Sequence, residues 1–243
     1  MKAIVLAAGD GGRLRPFTDS CSKVLLPIEG RPLISFPISA ILEQGIEEIG
    51  VIVGHQANQV MESVPKLVPS DVKITFIHNP HYDGGNAISV YVAKDFIGND
   101  SFFVSMGDHM IEPEVMGKMV SQDAEFHLLG IDSVPSMESQ VNDATRVLID
   151  EEGSLLKIGK ELKTWNAVDI GVFKFTPTVF NSMEILYHKH GNALELNQLM
   201  QFLADQEPTV DTCDVEGLYW NDIDTVDDYI GAGGNQHSPI QVG

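Results

Sequence analysis

The sequence predicts an α/β fold with a doubly wound, mostly parallel sheet. Three observations carry this. Short apolar runs of strand length recur through the first half of the chain, helix-like segments fill the gaps between them, and the first run ends in a cluster of glycines. Strands buried on both faces read as continuous aliphatic runs rather than as alternation.

The elements follow in order. Residues 2–8 form the first run, Lys2-Ala3-Ile4-Val5-Leu6-Ala7-Ala8, and glycine ends it. A helix is expected over Pro32–Gln44, with proline at its start and Gly45 past its end. Strands are expected at Ile49–Val53, Lys73–Ile77, Phe102–Ser105 and Phe126–Ile131. Helices are expected at Ala57–Val64 and Ala87–Phe96. The pattern then changes. Thr145–Asp150 and Leu155–Ile158 flank Glu151-Glu152-Gly153, a hairpin signal. A long strand follows at Asn166–Phe175, then helices at Thr178–His190 and Leu194–Gln206. The last helix starts at Thr225, with Asp228 three residues on as in a capping box. The expected organisation is one domain over residues 1–231, with a nucleotide-binding half (1–132) and a β-rich acceptor-binding half (133–231). Residues 232–243 are expected to form a flexible tail.

Composition excludes several functions. The 243 residues carry 15 Lys+Arg against 35 Asp+Glu, a formal charge of −20. Such a surface repels nucleic acid and anionic membranes. Mean hydropathy is +0.01, too apolar for a disordered acidic tail. No apolar run is long enough to span a bilayer, and the short run at the N-terminus is no signal peptide. Cys21 and Cys213 offer neither a disulfide framework nor zinc spacing. The expectation is a cytoplasmic protein, with oligomers compatible with this composition. The acid surplus suggests a salt-rich cytoplasm, where screening shortens self-repulsion. A melting temperature that climbs across a molar salt series is the expected sign; indifference to salt counts against it.

Against this charge, Leu6-Ala7-Ala8-Gly9-Asp10-Gly11-Gly12-Arg13-Leu14-Arg15-Pro16-Phe17-Thr18 is followed by Lys23-Val24-Leu25-Leu26-Pro27-Ile28. Three of the four arginines fall within residues 13–31. Glycines let backbone N–H groups approach an anion, and Arg13, Arg15 and Lys23 add fixed positive charge, so a polyphosphate is the natural ligand. An ordinary βα turn with surface basic residues is the bland alternative. Neither a P-loop nor a dinucleotide fingerprint matches.

This stretch, with Gly30-Arg31-Pro32-Leu33-Ile34 after it, resembles the signature of the sugar nucleotidyltransferases. Ser22 stands where that family carries proline, which implies a looser loop. The resemblance implies transfer of a nucleoside monophosphate from a nucleoside triphosphate to a small phosphorylated acceptor, with Mg²⁺ as cofactor. It assigns nucleotide binding to Leu6, Ala7, Ala8, Gly9, Gly11, Gly12, Asn79, Gly85 and Asn86, and catalysis to Arg13, Lys23 and Asp108. Asp108 ends an apolar strand, where α/β sheets bind ligands. The resemblance makes Asp108 and Asp222 the metal ligands, with Asp224 a weaker candidate. Taken alone, each Asp reads as a turn or cap residue, and Asp227 and Asp228 keep that reading. His109 is expected to be structural.

Asn79-Pro80-His81-Tyr82 with Asn86 and Ser89 looks like the pattern of CTP-dependent relatives, so CTP is favoured over UTP or dTTP. Lys157-Ile158-Gly159-Lys160-Glu161-Leu162 and Val168-Asp169-Ile170-Gly171-Val172-Phe173 resemble segments of the inositol-1-phosphate cytidylyltransferases. That likeness implies acceptor binding by Lys160, Asp169 and Gly171, with inositol 1-phosphate as the acceptor. Ile170 replaces a threonine there. The alternatives are a phosphocholine or phosphonate cytidylyltransferase, and a hexose-1-phosphate uridylyl- or thymidylyltransferase. Outside the class stand a glycosyltransferase using Asp222-Ile223-Asp224 as its metal motif, and a non-catalytic domain of the same fold.

Overall fold

The aliphatic run at the N-terminus forms β1 (Lys2–Ala7), and its side chains divide between two cores. Ile4, Leu6 and Ala8 face one, Ala3, Val5 and Ala7 the other, and nearly all are fully buried. A strand covered on both faces shows no polar alternation, which is why the run reads as continuous. The computed structural model describes residues 1–136, 140–141, 144–206 and 210–234.

A short hairpin follows, β2 (Pro27–Ile28) with β3 (Arg31–Pro32), then α1 (Ser35–Leu42). The helix starts three residues later than the sequence predicts, because Pro32 pairs with Pro27 in the hairpin. The Leu33 and Ile34 N–H groups then donate to Leu26 and Val24 carbonyls rather than opening a helix. Pro37 takes the first-turn position, where a missing N–H costs nothing. Next come β4 (Glu48–Val53), α2 (Ala57–Ser63) and β5 (Lys73–His78). The single helix expected at 87–96 is two short ones, α3 (Ala87–Tyr91) and α4 (Lys94–Ile97). After β6 (Phe102–Met106) and β7 (His109–Ile111) comes α5 (Pro113–Ser121), a helix outside the expected elements.

The second half contains β8 (His127–Asp132), β9 (Arg146–Ile149), β10 (Leu155–Gly159) and β11 (Ala167–Phe175). The antiparallel β9–β10 hairpin is the one the turn signal predicts. Then come α6 (Val179–His190), α7 (Leu196–Ala204), β12 (Val210–Asp214), β13 (Trp220–Asp222) and α8 (Val226–Gly231). Thr225 caps α8 through a capping box with Asp228, as expected. Most of the expected tail lies outside the described residues. Its first residues bond back, Gly234 N–H to the Tyr229 carbonyl.

The main sheet runs β5-β4-β1-β6-β11-β9-β10, with β8 beside β11 and β12 beside β8. β5, β4, β1 and β6 are parallel. β11 runs antiparallel to β6, β8 and β9. The sheet is therefore mixed around a parallel nucleus, and the ends of β1 and β6 open on the same edge. A separate ribbon pairs β7 with β13 antiparallel, setting Asp222 opposite His109. Trp220 anchors that ribbon: its Nε1–H donates to the buried Asp132 Oδ2 at 2.8 Å, and its carbonyl accepts from Gln140 Nε2 at 2.6 Å.

One buried side chain makes the fold sensitive to acid. His127 on β8 packs edge-on against Phe175, and burial pushes its imidazole down to about 4. The Thr176 N–H donates to its Nδ1, which needs that nitrogen unprotonated. The unfolded chain takes up this proton below about 6.5, while the fold refuses it until about 4. The stability is therefore complete above 6.5 and declines as pH falls toward 4. Between pH 7.5 and 5 the loss should be about 2 kcal/mol. Asp169 and Asp222, both raised, act in the opposite sense over this range, so the readout is a difference: in urea melts from pH 7.5 to 5 the wild type should lose about 2 kcal/mol relative to His127→Asn. Equal slopes would remove His127 from this role.

Candidate active site

The glycine loop leaves the end of β1 and turns through Gly11, whose carbonyl accepts from Leu14 N–H and Thr18 Oγ1, both at 2.9 Å. Asp10 Oδ1 accepts from Gly12 N–H at 3.2 Å. Leu6, Ala7 and Ala8 are buried in or at the end of the strand, and Gly9 to Gly12 follow at its mouth. Lys23 opens a short 3₁₀ turn below the loop and its side chain is 9% exposed. The looser loop implied by Ser22 is not found. The Ser22 N–H donates to Gln59 Oε1 at 3.0 Å, a bond proline could not make, and Gln59 Nε2 donates to the Ser20 carbonyl. The departure from proline replaces one restraint by another.

Asp108 follows β6, the strand beside β1, so both strand ends deliver chemistry to one edge. Lys23 Nζ lies 2.6 Å from Asp108 Oδ2 and 2.6 Å from Asp224 Oδ1. Arg13 Nη2 donates to Asp224 Oδ2. The β7–β13 register brings Asp222 to the same place: His109 Nδ1 is 3.1 Å from Asp108 Oδ1 and 3.6 Å from Asp222 Oδ1. His109, expected to be structural, thus bridges the two carboxylates proposed for a metal. Its only sequence signal is its place next to Asp108 at a strand end.

The electrostatics of this cluster are tightly linked. Burial opposes the charge on Lys23, but Asp108, Asp224 and Asp222 outweigh it and hold the ammonium above the ordinary lysine range. Burial likewise opposes the Asp108 anion, and Lys23 with His109 more than compensates, holding that carboxyl well below its usual range. His109 is driven up to about 9, against its burial, by Asp222 and Asp108. Asp222 goes the other way, to about 7: burial, with repulsion by Asp108 and Asp224, outweighs the pull of His109 and Lys23. Its Oδ1 is buried and has no hydrogen-bond partner. Asp108, His109 and Asp222 each offer a ligand atom within 4.8 Å of the others. An orphaned carboxylate oxygen beside a second carboxylate is a donor set that a hard divalent cation satisfies.

From this cluster a cavity of about 490 Å³ extends toward the second half of the chain. Lys160, Asp169 and Gly171 all line it, as do Arg13, Asn86, Asp108, Asp222 and Asp224. β11 changes register between Asp169 and Phe173, and Gly171 sits in that irregularity at φ 73. A Cβ at 171 would lie 2.7 Å from His109 Nε2, so only glycine fits on both counts. Asp169 Oδ1 accepts from Gly171 N–H at 2.8 Å. Burial raises its carboxyl to about 6, although that bond and His109 pull the other way. Ile170 is fully buried in the core and does not line the cavity.

The Asn79–Asn86 segment is tied down by bonds of its own. Asn79 is buried and spends its amide internally, with Nδ2 donating to Ser89 Oγ at 3.0 Å and Oδ1 accepting from His81 N–H. It shapes the loop and lies outside the cavity lining. Gly85 lets the loop lie against residues 192–194, since a Cβ there would meet the Leu194 carbonyl at 2.1 Å. Asn86 does line the cavity. Its Oδ1 accepts from Leu196 N–H at 2.7 Å and its N–H donates to Glu195 Oε2, so it clasps the start of α7 rather than capping α3. Glu195, Asn197 and Gln140 also line the cavity. No motif marks them, and only the fold brings them there.

A glycine loop ending the first parallel strand, opposite one carboxylate at the end of its neighbour and a second carried in by the β7–β13 ribbon, defines a phosphate-handling α/β protein. The chain belongs to the nucleotidyl transferase family, whose model matches residues 2–238. It is 30% identical over 240 residues to the low-salt glycan biosynthesis nucleotidyltransferase Agl11 of Haloferax volcanii, covering 96% of this chain and 65% of that protein. It is 29% identical to the bifunctional IPC transferase and DIPP synthase of Aquifex aeolicus, over 93% of this chain and 49% of the relative. The chain thus spans from about half to just under two thirds of these relatives' length. The structure of the inositol-1-phosphate CTP transferase from T. maritima superposes with a TM-score of 0.84 at 28% identity, covering 93% of this chain and 90% of that one. The expected α/β architecture is that of this neighbour. Among the described residues no helix is long and apolar enough to cross a membrane.

Proposed function

We propose that this chain transfers CMP from CTP to a small phosphorylated polyol of the inositol 1-phosphate kind and releases pyrophosphate. The observation that carries this is Lys23, held on Asp108 and Asp224 beneath the glycine loop and beside the orphaned oxygen of Asp222. An ammonium so placed reaches both an α-phosphate and an incoming phosphate. In the reaction an acceptor phosphate oxygen bonds to the α-phosphorus, and the bond from that phosphorus to the pyrophosphate oxygen breaks. Positioning and charge stabilisation dominate such transfers. No general base is required, since a phosphate monoester is already anionic near neutral pH.

Arg13 and the loop N–H groups hold the leaving pyrophosphate. Lys160 meets the acceptor phosphate and Asp169 the acceptor hydroxyls. Asp108 and Asp222 hold Mg²⁺, which when bound neutralises charge on the phosphates. Gly85 and Asn86 lie on the base side, with Asn79 fixing their loop. The choice of CTP is supported by the Asn79-Pro80-His81-Tyr82 pattern and by the likeness to the T. maritima transferase. The two halves, 1–132 and 133–231, form one working unit in this proposal, since the cavity draws on both.

A matrix of CTP, UTP and dTTP against inositol 1-phosphate, phosphocholine and hexose 1-phosphates, read by pyrophosphate release, tests it. The fastest pair should be CTP with inositol 1-phosphate. Faster turnover of UTP or dTTP with a hexose 1-phosphate would overturn the substrate assignment. Release of a free nucleoside diphosphate would overturn the reaction itself.

A further inference from the structure

On sequence Asp224 is the weaker metal candidate, and the structure gives it different company. Its Oδ1 accepts from Lys23 Nζ at 2.6 Å, and its Oδ2 accepts from Arg13 Nη2. Both cations belong to the glycine-loop region, and both are assigned above to the nucleotide's phosphates. A carboxylate spanning an ammonium and a guanidinium makes the contacts that two oxygens of a phosphate would make. Its position is fixed from behind. The Asp224 N–H donates to Asp228 Oδ2 at 3.3 Å, and the same oxygen accepts from Thr225 N–H and Oγ1 at the start of α8. The side chain is 19% exposed and lines the cavity, so a ligand there can reach it. Burial and Asp108 work against its charge, yet Lys23 and Arg13 together hold the carboxyl below its ordinary range.

We infer that Asp224 is a positioning residue that stands in for phosphate in the nucleotide-free protein. It keeps Arg13 and Lys23 aimed into the cavity, and a polyphosphate binds by displacing it from them. Cations held in place before the ligand arrives lose less freedom on binding, while the resident carboxylate competes with the ligand. This inference rests on the assignment of Arg13 and Lys23 to the polyphosphate.

The test titrates inorganic pyrophosphate in EDTA, by calorimetry, into wild type, Asp224→Asn and Asp222→Asn. Asp224→Asn keeps the volume and removes the bridging charge. At about pH 8, where most of the Asp222 carboxyl is ionised, Asp222→Asn removes a charge from the His109 side of the same cavity and serves as the control for net charge. Asp224→Asn should bind pyrophosphate about tenfold tighter than wild type, the scale of one charge-assisted hydrogen bond. Asp222→Asn should gain much less. A role as metal ligand only predicts no gain in EDTA. Equal affinity of wild type and Asp224→Asn, or an equal gain in Asp222→Asn, overturns the stand-in role and leaves the loop assignment standing. Failure of both proteins to bind pyrophosphate, with or without Mg²⁺, overturns the loop assignment and the inference with it. Asp224→Ala gives the same comparison where Asp224→Asn does not fold.

Discussion

Lys23→Ala should abolish nucleotidyl transfer, lowering kcat by roughly 10³-fold or more. The side chain is almost wholly buried and its ammonium is 2.6 Å from two different carboxylates. No other lysine shares that position, and in the proposed reaction the attacking and attacked phosphates are both anionic. Alanine removes the one cation that reaches both. It also leaves Asp108 and Asp224 facing each other without their shared partner, so some stability is lost as well. Circular dichroism separates the two effects: a folded variant without pyrophosphate release is expected. Near-normal turnover in that folded variant would remove Lys23 from the chemistry.

Asp108→Asn is the second large effect, again roughly 10³-fold in kcat. The substitution keeps shape and volume and deletes only the charge. Asp108 accepts from Lys23 through Oδ2 and faces His109 through Oδ1, so one neutral amide unbalances both partners. The carboxylate pair proposed for Mg²⁺ becomes a single carboxylate, and hard divalent cations depend on such charge. Binding of Mn²⁺, followed by its electron paramagnetic resonance, should weaken in step with turnover. Intact Mn²⁺ affinity together with lost turnover would assign Asp108 to Lys23 rather than to the metal.

The sequence makes the parallel nucleus legible because its strands are buried on both faces and so announce themselves as aliphatic runs. The capping box at Thr225 and the hairpin turn at Gly153 are equally local and equally readable. What escapes is decided by partners distant in the chain. Pro32 looks like a helix start until Pro27 pairs with it. Asn79 bonds to Ser89 and to the His81 backbone, contacts its motif does not announce. Asn86 looks like a cap for its own helix and clasps another. In the candidate site, Lys23 and Asp108 stand out because each follows a recognisable local signal. His109, Glu195 and Asn197 do not, since only the β7–β13 register and the approach of α7 bring them to the cavity.

The irregularity in β11 also bears on how this protein can change over generations. Gly171 and His109 occupy one space between them, with no room for a single added carbon. A lineage cannot alter residue 171 while the imidazole stays, and the left-handed backbone there penalises any replacement even if the imidazole goes. The cavity wall at Gly171 and the residue bridging Asp108 and Asp222 are therefore expected to change only together. Under the proposed function, a change of acceptor would run more easily through Lys160 or Asn197, which line the same cavity on ordinary backbone.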